Sequence, residues 1–330
     1  MKKELQKLIN HQSLTEQEAF NAMLKIGSGE ENETQIAAFV SAYLMRPITV
    51  SELEGFRQAL LELGVKVNLE VDNCIDVCGT GGDGKDTFNI STLSAIVCAG
   101  AGLKVAKHGN YSVSSKCGSS DVLEYLGVKF TNDESKLNKQ IEGSNICFMH
   151  APMFHSALRH VSGVRKSLGI KTFFNMLGPM VNPSKPNKQL VGVFSLDLMR
   201  LYHYLYQDAD LDYCIIHALD GYDEISLTSP VKYASYKGEG LVSEKDFGVR
   251  KIDASEIYGG KGVEDSAEIF KKVLANEGTE SQNNVVCANA AMAISTYYKE
   301  INPSDAFIIA KDSLKSGKAN KAFKKLLELQ

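Results

Sequence analysis

From Asn73 onward the sequence alternates short apolar runs, at 74–77, 103–106, 146–149, 190–194 and 213–218, with stretches of helical periodicity. Strand runs separated by helices leave few topologies. Such a chain builds a mainly parallel sheet and lays the helices over its faces. Residues 1 to about 66 read as helices alone, with Thr15/Glu18 and Thr49/Glu52 at capping-box spacing and apolar residues at Ile36, Phe39, Val40 and Leu44. Residues 263–297 and 303–329, rich in alanine, return to helix. The expected fold is α/β: a small N-terminal helical domain, residues 1–70, and a large α/β domain, residues 71–330, whose central, mainly parallel sheet is flanked by helices.

A chain of 330 residues with 44% hydrophobic and 23% charged content is globular in composition. Its formal net charge of −4 offers no general attraction to polyanions, so neither nucleic acid nor an acidic membrane surface is an expected partner. Seven cysteines, an odd number scattered through apolar runs, read as buried free thiols in a reducing compartment. Cys74 and Cys78 have no second Cys or His pair nearby, so a zinc site is not expected. The opening stretch MKKELQKLINHQ lacks the apolar core of a secretion signal, and no apolar run approaches the ~18 residues of a membrane span. A cytoplasmic location is expected.

The first apolar run feeds CGTGGDGKDTFNIST, residues 78–92, and then a helix of small residues. A strand that delivers glycines into a helix N-terminus aims unpaired N–H groups at an anion. Gly79, Gly81 and Gly84 satisfy G-x-G-x-x-G, while Gly79, Gly84 and Lys85 satisfy G-x-x-x-x-G-K. Each familiar reading fails its own test. A magnesium-binding P-loop needs Ser or Thr after the lysine, and Asp86 stands there. A dinucleotide site needs an acidic residue at the end of the second strand, and that strand runs into Lys107-His108-Gly109-Asn110. A cation at that place suits another phosphate.

A second loop after a strand, HGNYSVSSKCGSSD at 108–121, leads into a helix begun by Ser119, Ser120 and Asp121. Two anion-type loops predict a ligand with more than one phosphate group. A third element, DGYDEIS at 220–226, places Asp220, Asp223 and Glu224 on an exposed strand end, where open α/β sheets bind ligands. Carboxylates among phosphate loops are explained by magnesium, which binds through one or two carboxylates plus substrate phosphates. Residues 152–186 carry Arg159, Arg165, Lys166 and Lys171 along a helical pattern before a Gly/Pro-rich turn. Any one of them alone would be a solvated helix face.

GTGGD, the following Asn89 to Thr92, KHGN at 107–110, the serine loop into DVLE, the segment from His155 through Arg165 to N-x-x-G-P-x-x-N-P, and DGYDEIS together resemble the anthranilate phosphoribosyltransferase family over essentially the whole chain. The resemblance implies transfer of the phosphoribosyl group of phosphoribosyl pyrophosphate to the amine of anthranilate, in tryptophan biosynthesis. It implies that Gly79, Gly82, Asp83, Thr87, Asn89, Ile90, Ser91, Thr92, Lys107, His108, Gly109, Asn110, Ser115 and Ser119 surround phosphoribosyl pyrophosphate. Ser91, Asp223 and Glu224 would hold Mg2+, and Gly79, His108, Asn110, His155, Arg165 and Gly178 would serve anthranilate. No residue is assigned as general base. The resemblance also implies a homodimer through the helical domain, to which a segment near 163–184 is a candidate to return.

Some positions depart from the family pattern. Cys117 and Ser120 stand where Ser and Ala are more usual, His150 replaces Phe, Ser156 Pro, Lys171 Arg and Ala218 Gly. Lysine cannot copy the bidentate fork of an arginine. Two alternatives remain open on the sequence. A pyrimidine nucleoside phosphorylase would read K-H-S where this chain has K-H-G-N, and a noncatalytic, nucleic-acid-binding relative would lose Asp223, Glu224 or Arg165.

Overall fold

A computed structural model of the chain describes residues 1–112 and 116–330. It divides into two compact units, one of Met1–Val67 with Ala151–Lys185 and one of Asn68–His150 with Pro186–Gln330.

In the helical unit the helices Glu16–Gly27 and Val50–Leu63 start where the sequence places their capping boxes, Thr15 with Glu18 and Thr49 with Glu52. The two helices touch at Gly55, where an added Cβ would lie 2.3 Å from the Glu16 carbonyl oxygen. Ile36, Phe39 and Val40 turn inward from the helix Glu33–Ala42, and the Phe39, Tyr43, Phe56 and Phe173 rings pack together. Leu44, four residues beyond Val40, is outside this core at 41% exposure. Burial alone would raise the Glu52 carboxyl. Arg46 and the N–H groups of Leu14 and Thr49 instead hold it below the ordinary carboxylate range. From the returning segment, the helix Arg159–Leu168 and the turn Phe174–Leu177 complete the unit.

The larger unit holds a seven-stranded sheet: β1 Ile75–Gly79, β2 Val105–Gly109, β3 Ile146–His150, β4 Lys188–Gly192, β5 Asp212–Ala218, β6 Val231–Ser235 and β7 Gly238–Val242. Their order is β3-β2-β1-β4-β5-β6-β7. The first five are parallel and the last two antiparallel. β1 is succeeded in the chain by a neighbour on one side and later, as β4, by a neighbour on the other. The connections therefore leave in opposite directions at the β1/β4 boundary, which is where open α/β sheets bind ligands.

Small residues let the covering helices come close. Ile90–Gly100 packs on Glu280–Tyr297, an almost wholly buried alanine-rich helix, with Ser94 Oγ donating to the Val286 carbonyl at 3.1 Å. All seven cysteines are buried and none of them forms a disulfide. Among the described residues, no helix is long and apolar enough to cross a membrane.

Candidate active site

The first loop leaves β1 at Gly79 and turns through Gly81, Gly82 and Gly84, all at positive φ, 62°, 76° and 74°. Only glycine takes these values without strain. The loop ends at Asn89, which caps the helix Ile90–Gly100 by position without a side-chain cap bond. Thr87 forms an antiparallel bridge with Tyr258, and the Asp86 carbonyl accepts from Gly259 N at 2.8 Å. This latch, made by the segment following the 3-10 turn Ala254–Ile257, has no counterpart in the motifs.

Two carboxylates hold the loop from the far side of the switch point. Asp223 Oδ2 accepts from Gly81 N at 2.7 Å, and Glu224 Oε1 accepts from Ser91 N at 3.0 Å, at the first turn of that helix. Their own turn is fixed by Asn289, which exchanges two 2.9 Å hydrogen bonds with the Ile225 backbone. Asn289 lies mid-helix in an alanine-rich run and gave no signal in sequence. Asp223 is not on an exposed strand end. It is 8% exposed because Gly79 and Gly192 bring two strand backbones against it. Asp220, grouped with them in the sequence, does not join them. Its carboxylate accepts from Ser229 Oγ at 2.7 Å and from Thr228 Oγ1 within its own turn.

Burial, reinforced by the negative charge of Asp83, pushes the Asp223 carboxyl up to about 7. Burial, then Asp223 and Asp83, raises Glu224 well above the carboxylate range, against the pull of Lys107. Two carboxyls raised by burial, with the charge of Asp83 beside them, want a counter-charge. Among the described residues no three His, Cys, Asp or Glu side chains converge as a closed metal site. The arrangement fits a cation held by few protein ligands and completed by ligand oxygens and water, the habit of Mg2+. Four enclosed polar atoms around the loop have no partner among the described residues: Thr80 Oγ1, Asn89 Oδ1, Thr92 Oγ1 and Glu224 Oε2. Unpaired buried polar atoms in such number mark the place of a polar ligand or ion.

Lys107 closes the site from β2. It is 2% exposed, and its Nζ donates to the Val77 carbonyl at 2.5 Å. The next residue, His108, is buried with its N–H on Asp76 Oδ1 at 3.2 Å. Gly109 lets the second loop pass Ser119, whose Oγ would lie 2.5 Å from an added Cβ. The exposed Asn110 accepts through its carbonyl from Ser119 Oγ at 3.2 Å and Ser120 N at 3.1 Å. Asn89 Nδ2 donates to the Cys117 carbonyl at 3.2 Å and so ties the two loops together. Ser115 lies outside the described residues.

The remaining sequence candidates lie in the helical unit. The Arg165 guanidinium sits over the Phe174 ring at 5.5 Å, burial lowers it from its ordinary value, and it forms no ion pair among the described residues. His155 is a buried ring, 3% exposed, with Nε2 2.7 Å from the Val181 carbonyl, and burial lowers its basicity. Gly178 opens the 3-10 turn Gly178–Val181 with clear space where a side chain would stand.

Glycine loops, a buried lysine and carboxylates in want of a cation, gathered at one sheet switch point, define a site for a multiply phosphorylated, metal-bearing ligand. Residues 71–320 match the family model described as the glycosyl transferase family a/b domain, and residues 2–64 match the helical bundle domain of the same family. Within it, the chain belongs to the anthranilate phosphoribosyltransferase family. It is 57% identical to the anthranilate phosphoribosyltransferase of Flavobacterium johnsoniae, covering 100% of this chain and 99% of that one. The Bacteroides thetaiotaomicron enzyme is 46% identical over the same shares. Among solved structures, the Thermus thermophilus enzyme superposes with a TM-score of 0.92 at 29% identity over 98% of each chain. The Saccharomyces cerevisiae enzyme in complex with phosphoribosyl pyrophosphate and magnesium does so at 0.91 and 28% identity, over 98% of this chain and 96% of that one.

Proposed function

We infer that the chain transfers the phosphoribosyl group of phosphoribosyl pyrophosphate to the amine of anthranilate, releasing pyrophosphate, in tryptophan biosynthesis, with Mg2+ as cofactor. The observation that carries this reading is the 57% likeness along the whole chain to an enzyme of that name, across a site whose carboxylates want a cation. Loss of anthranilate fluorescence in the presence of phosphoribosyl pyrophosphate and magnesium tests it. A protein that instead splits thymidine or uridine with phosphate would be a nucleoside phosphorylase.

We assign phosphoribosyl pyrophosphate to Gly79, Gly82, Asp83, Thr87, Asn89, Ile90, Ser91, Thr92, Lys107, His108, Gly109, Asn110 and Ser119. Supporting this are the unpaired oxygens of Asn89 and Thr92 and the buried Lys107 ammonium. Asp223, Glu224 and Ser91 are assigned to Mg2+. When bound, the ion would supply positive charge to the phosphate oxygens. Departure of pyrophosphate leaves oxocarbenium character on the ribose, so the chief demand is to stabilise a leaving polyanion. Lys107 and the loop N–H groups meet that demand with fixed dipoles and charge. The arylamine is neutral at pH 7 and exposes its lone pair without a strong base. No residue is assigned as proton acceptor.

Arg165 is assigned to the anthranilate carboxylate, with Gly79, His108, Asn110, His155 and Gly178 as further candidates for anthranilate. Its guanidinium, over the Phe174 ring and in no ion pair among the described residues, is oriented by a contact that leaves its charge in place. Arg165→Lys exchanges a two-pronged grip for a point charge. One lost charge-assisted bond costs about 2 kcal/mol, so the Michaelis constant for anthranilate is expected to rise roughly thirtyfold while that for phosphoribosyl pyrophosphate stays in place. The reverse pattern would move Arg165 to the phosphate side.

We also propose a homodimer through the helical unit and a cytoplasmic place of work. Ile9, Leu44 and Met45 leave 66%, 41% and 87% of their surface uncovered there, an apolar excess that a second copy would bury. Light scattering at micromolar concentration is expected to give twice the chain mass. Seven buried thiols, none of them in a disulfide, suit a reducing compartment.

A further inference from the structure

His150, the last residue of β3, takes no part in the assignments above, yet it is a buried imidazole at the neck of the second phosphate loop, paired across the sheet with Gly109. We propose that His150 is a positioning residue for phosphoribosyl pyrophosphate, holding both stems of the 108–121 loop at once, Tyr111 by ring contact and Ser120 by a hydrogen bond.

The ring is 6% exposed and fixed on three sides. Phe130 stacks on it at 4.7 Å and 16°, the Tyr111 ring meets it edge-on at 4.6 Å and 73°, and Nδ1 shares a 2.8 Å hydrogen bond with Ser120 Oγ. Tyr111 follows Asn110 at the loop's entry, and Ser120 follows Ser119 at its exit. The stems are also joined directly, by Ser120 N on the Asn110 carbonyl at 3.1 Å. Asp121 Oδ2 gathers the N–H groups of Ser112 and Gly118 at 2.9 and 2.8 Å just inside the neck. Tyr111 OH donates to Glu124 at 3.1 Å. Burial depresses the basicity of His150 although Glu124 and Asp121 work the other way, which favours a neutral ring. A neck closed in advance spares the ligand the cost of ordering two stems, so the benefit falls on affinity for phosphoribosyl pyrophosphate and not on anthranilate.

The inference rests on the phosphoribosyl pyrophosphate reading, and the test separates the two. Phosphoribosyl pyrophosphate with magnesium is titrated calorimetrically, without anthranilate, into the wild type, Ser120→Ala, His150→Phe and the double variant, and the Michaelis constants follow. Each single change leaves one buried polar group unpaired and is expected to weaken phosphoribosyl pyrophosphate about tenfold, with the anthranilate constant unmoved. His150→Phe keeps the stack on Phe130, and the double variant removes both partners, so it is expected to return to within about threefold of the wild type. Single variants that bind like the wild type overturn the inference. So does a double variant whose loss is the product of the two. If a single variant does not fold, His150→Asn, which retains a hydrogen-bonding atom near Nδ1 but no ring, takes its place. Weaker phosphoribosyl pyrophosphate binding with an unmoved anthranilate constant supports the inference, and unchanged binding overturns it. A wild type that binds phosphoribosyl pyrophosphate but does not consume anthranilate defeats only the function reading, and one that binds none defeats both.

Discussion

The double variant Asp223→Asn, Glu224→Gln is expected to lose magnesium-dependent turnover by about a hundredfold or more, a transition-state loss near 3 kcal/mol, while remaining folded. The amide oxygens that replace the carboxylates can still accept from Gly81 N and Ser91 N, so the two backbone anchors at 2.7 and 3.0 Å survive the change. What disappears is negative charge. In the metal-free protein that charge is a burden, since burial and the neighbouring Asp83 push Asp223 up to about 7 and raise Glu224 with it. A carboxyl with a raised folded-state value favours the fold fully below its unfolded value of about 4, and that contribution is lost as pH climbs through about 7. Chelated wild type is therefore expected to lose stability between these limits, magnesium to restore it above pH 7, and the double variant to show neither effect. Near-normal activity of the double variant at limiting magnesium would remove both residues from the metal site.

Much of this site was legible because its parts are local in sequence. Glycines at positive φ after an apolar run, a lysine at the next strand end and a carboxylate pair after the fifth run each announce themselves within a few residues. The five parallel strands and both N-terminal capping boxes were readable for the same reason. The β6–β7 hairpin was not. Its strands lie toward the sheet edge, half-buried at Lys232 and Tyr233 and carrying Gly238 and Gly240, so no clean two-residue period marks them. Burial of Asp223 was also illegible, because it depends on glycines of two other strands, and Asn289 anchors the Asp223 turn from 64 residues further along the chain. The returning segment was expected near 163–184, but its full extent, Ala151–Lys185, is decided by packing that no window of sequence contains. Sequence periodicity records which face of an element is covered, not which distant backbone covers it.

Gly192→Ala follows from that non-local packing and is expected to damage fold and site together. Gly192 ends β4, registered with Gly79 on one side and Ile216 on the other, and its carbonyl accepts from Thr80 N at 2.9 Å. An added Cβ would lie 1.5 Å from the Asp223 carbonyl oxygen and 2.6 Å from its carbon. Those are backbone atoms, so no side-chain rotation relieves the clash. β4 lies between two paired neighbours and cannot retreat without breaking its ladder. The turn that carries Asp223 and Glu224 must move instead, against the Asn289 bonds that hold it. Forcing one carbon into such a contact costs about 3 kcal/mol, the upper end of ordinary overpacking, which lowers the unfolding temperature of a domain this size by roughly 6–12 °C. The carboxylates would leave their anchors on Gly81 and Ser91, so magnesium-dependent activity is expected to fall with stability. Gly262→Ala is the control. Its φ of −178° is extended backbone that alanine adopts, and nothing lies within 4 Å of the added carbon. Calorimetric unfolding and an anthranilate fluorescence assay on both variants decide the matter: a Gly192→Ala protein that melts and turns over like the Gly262→Ala control would mean that the β4 end and the Asp223 turn are not in contact.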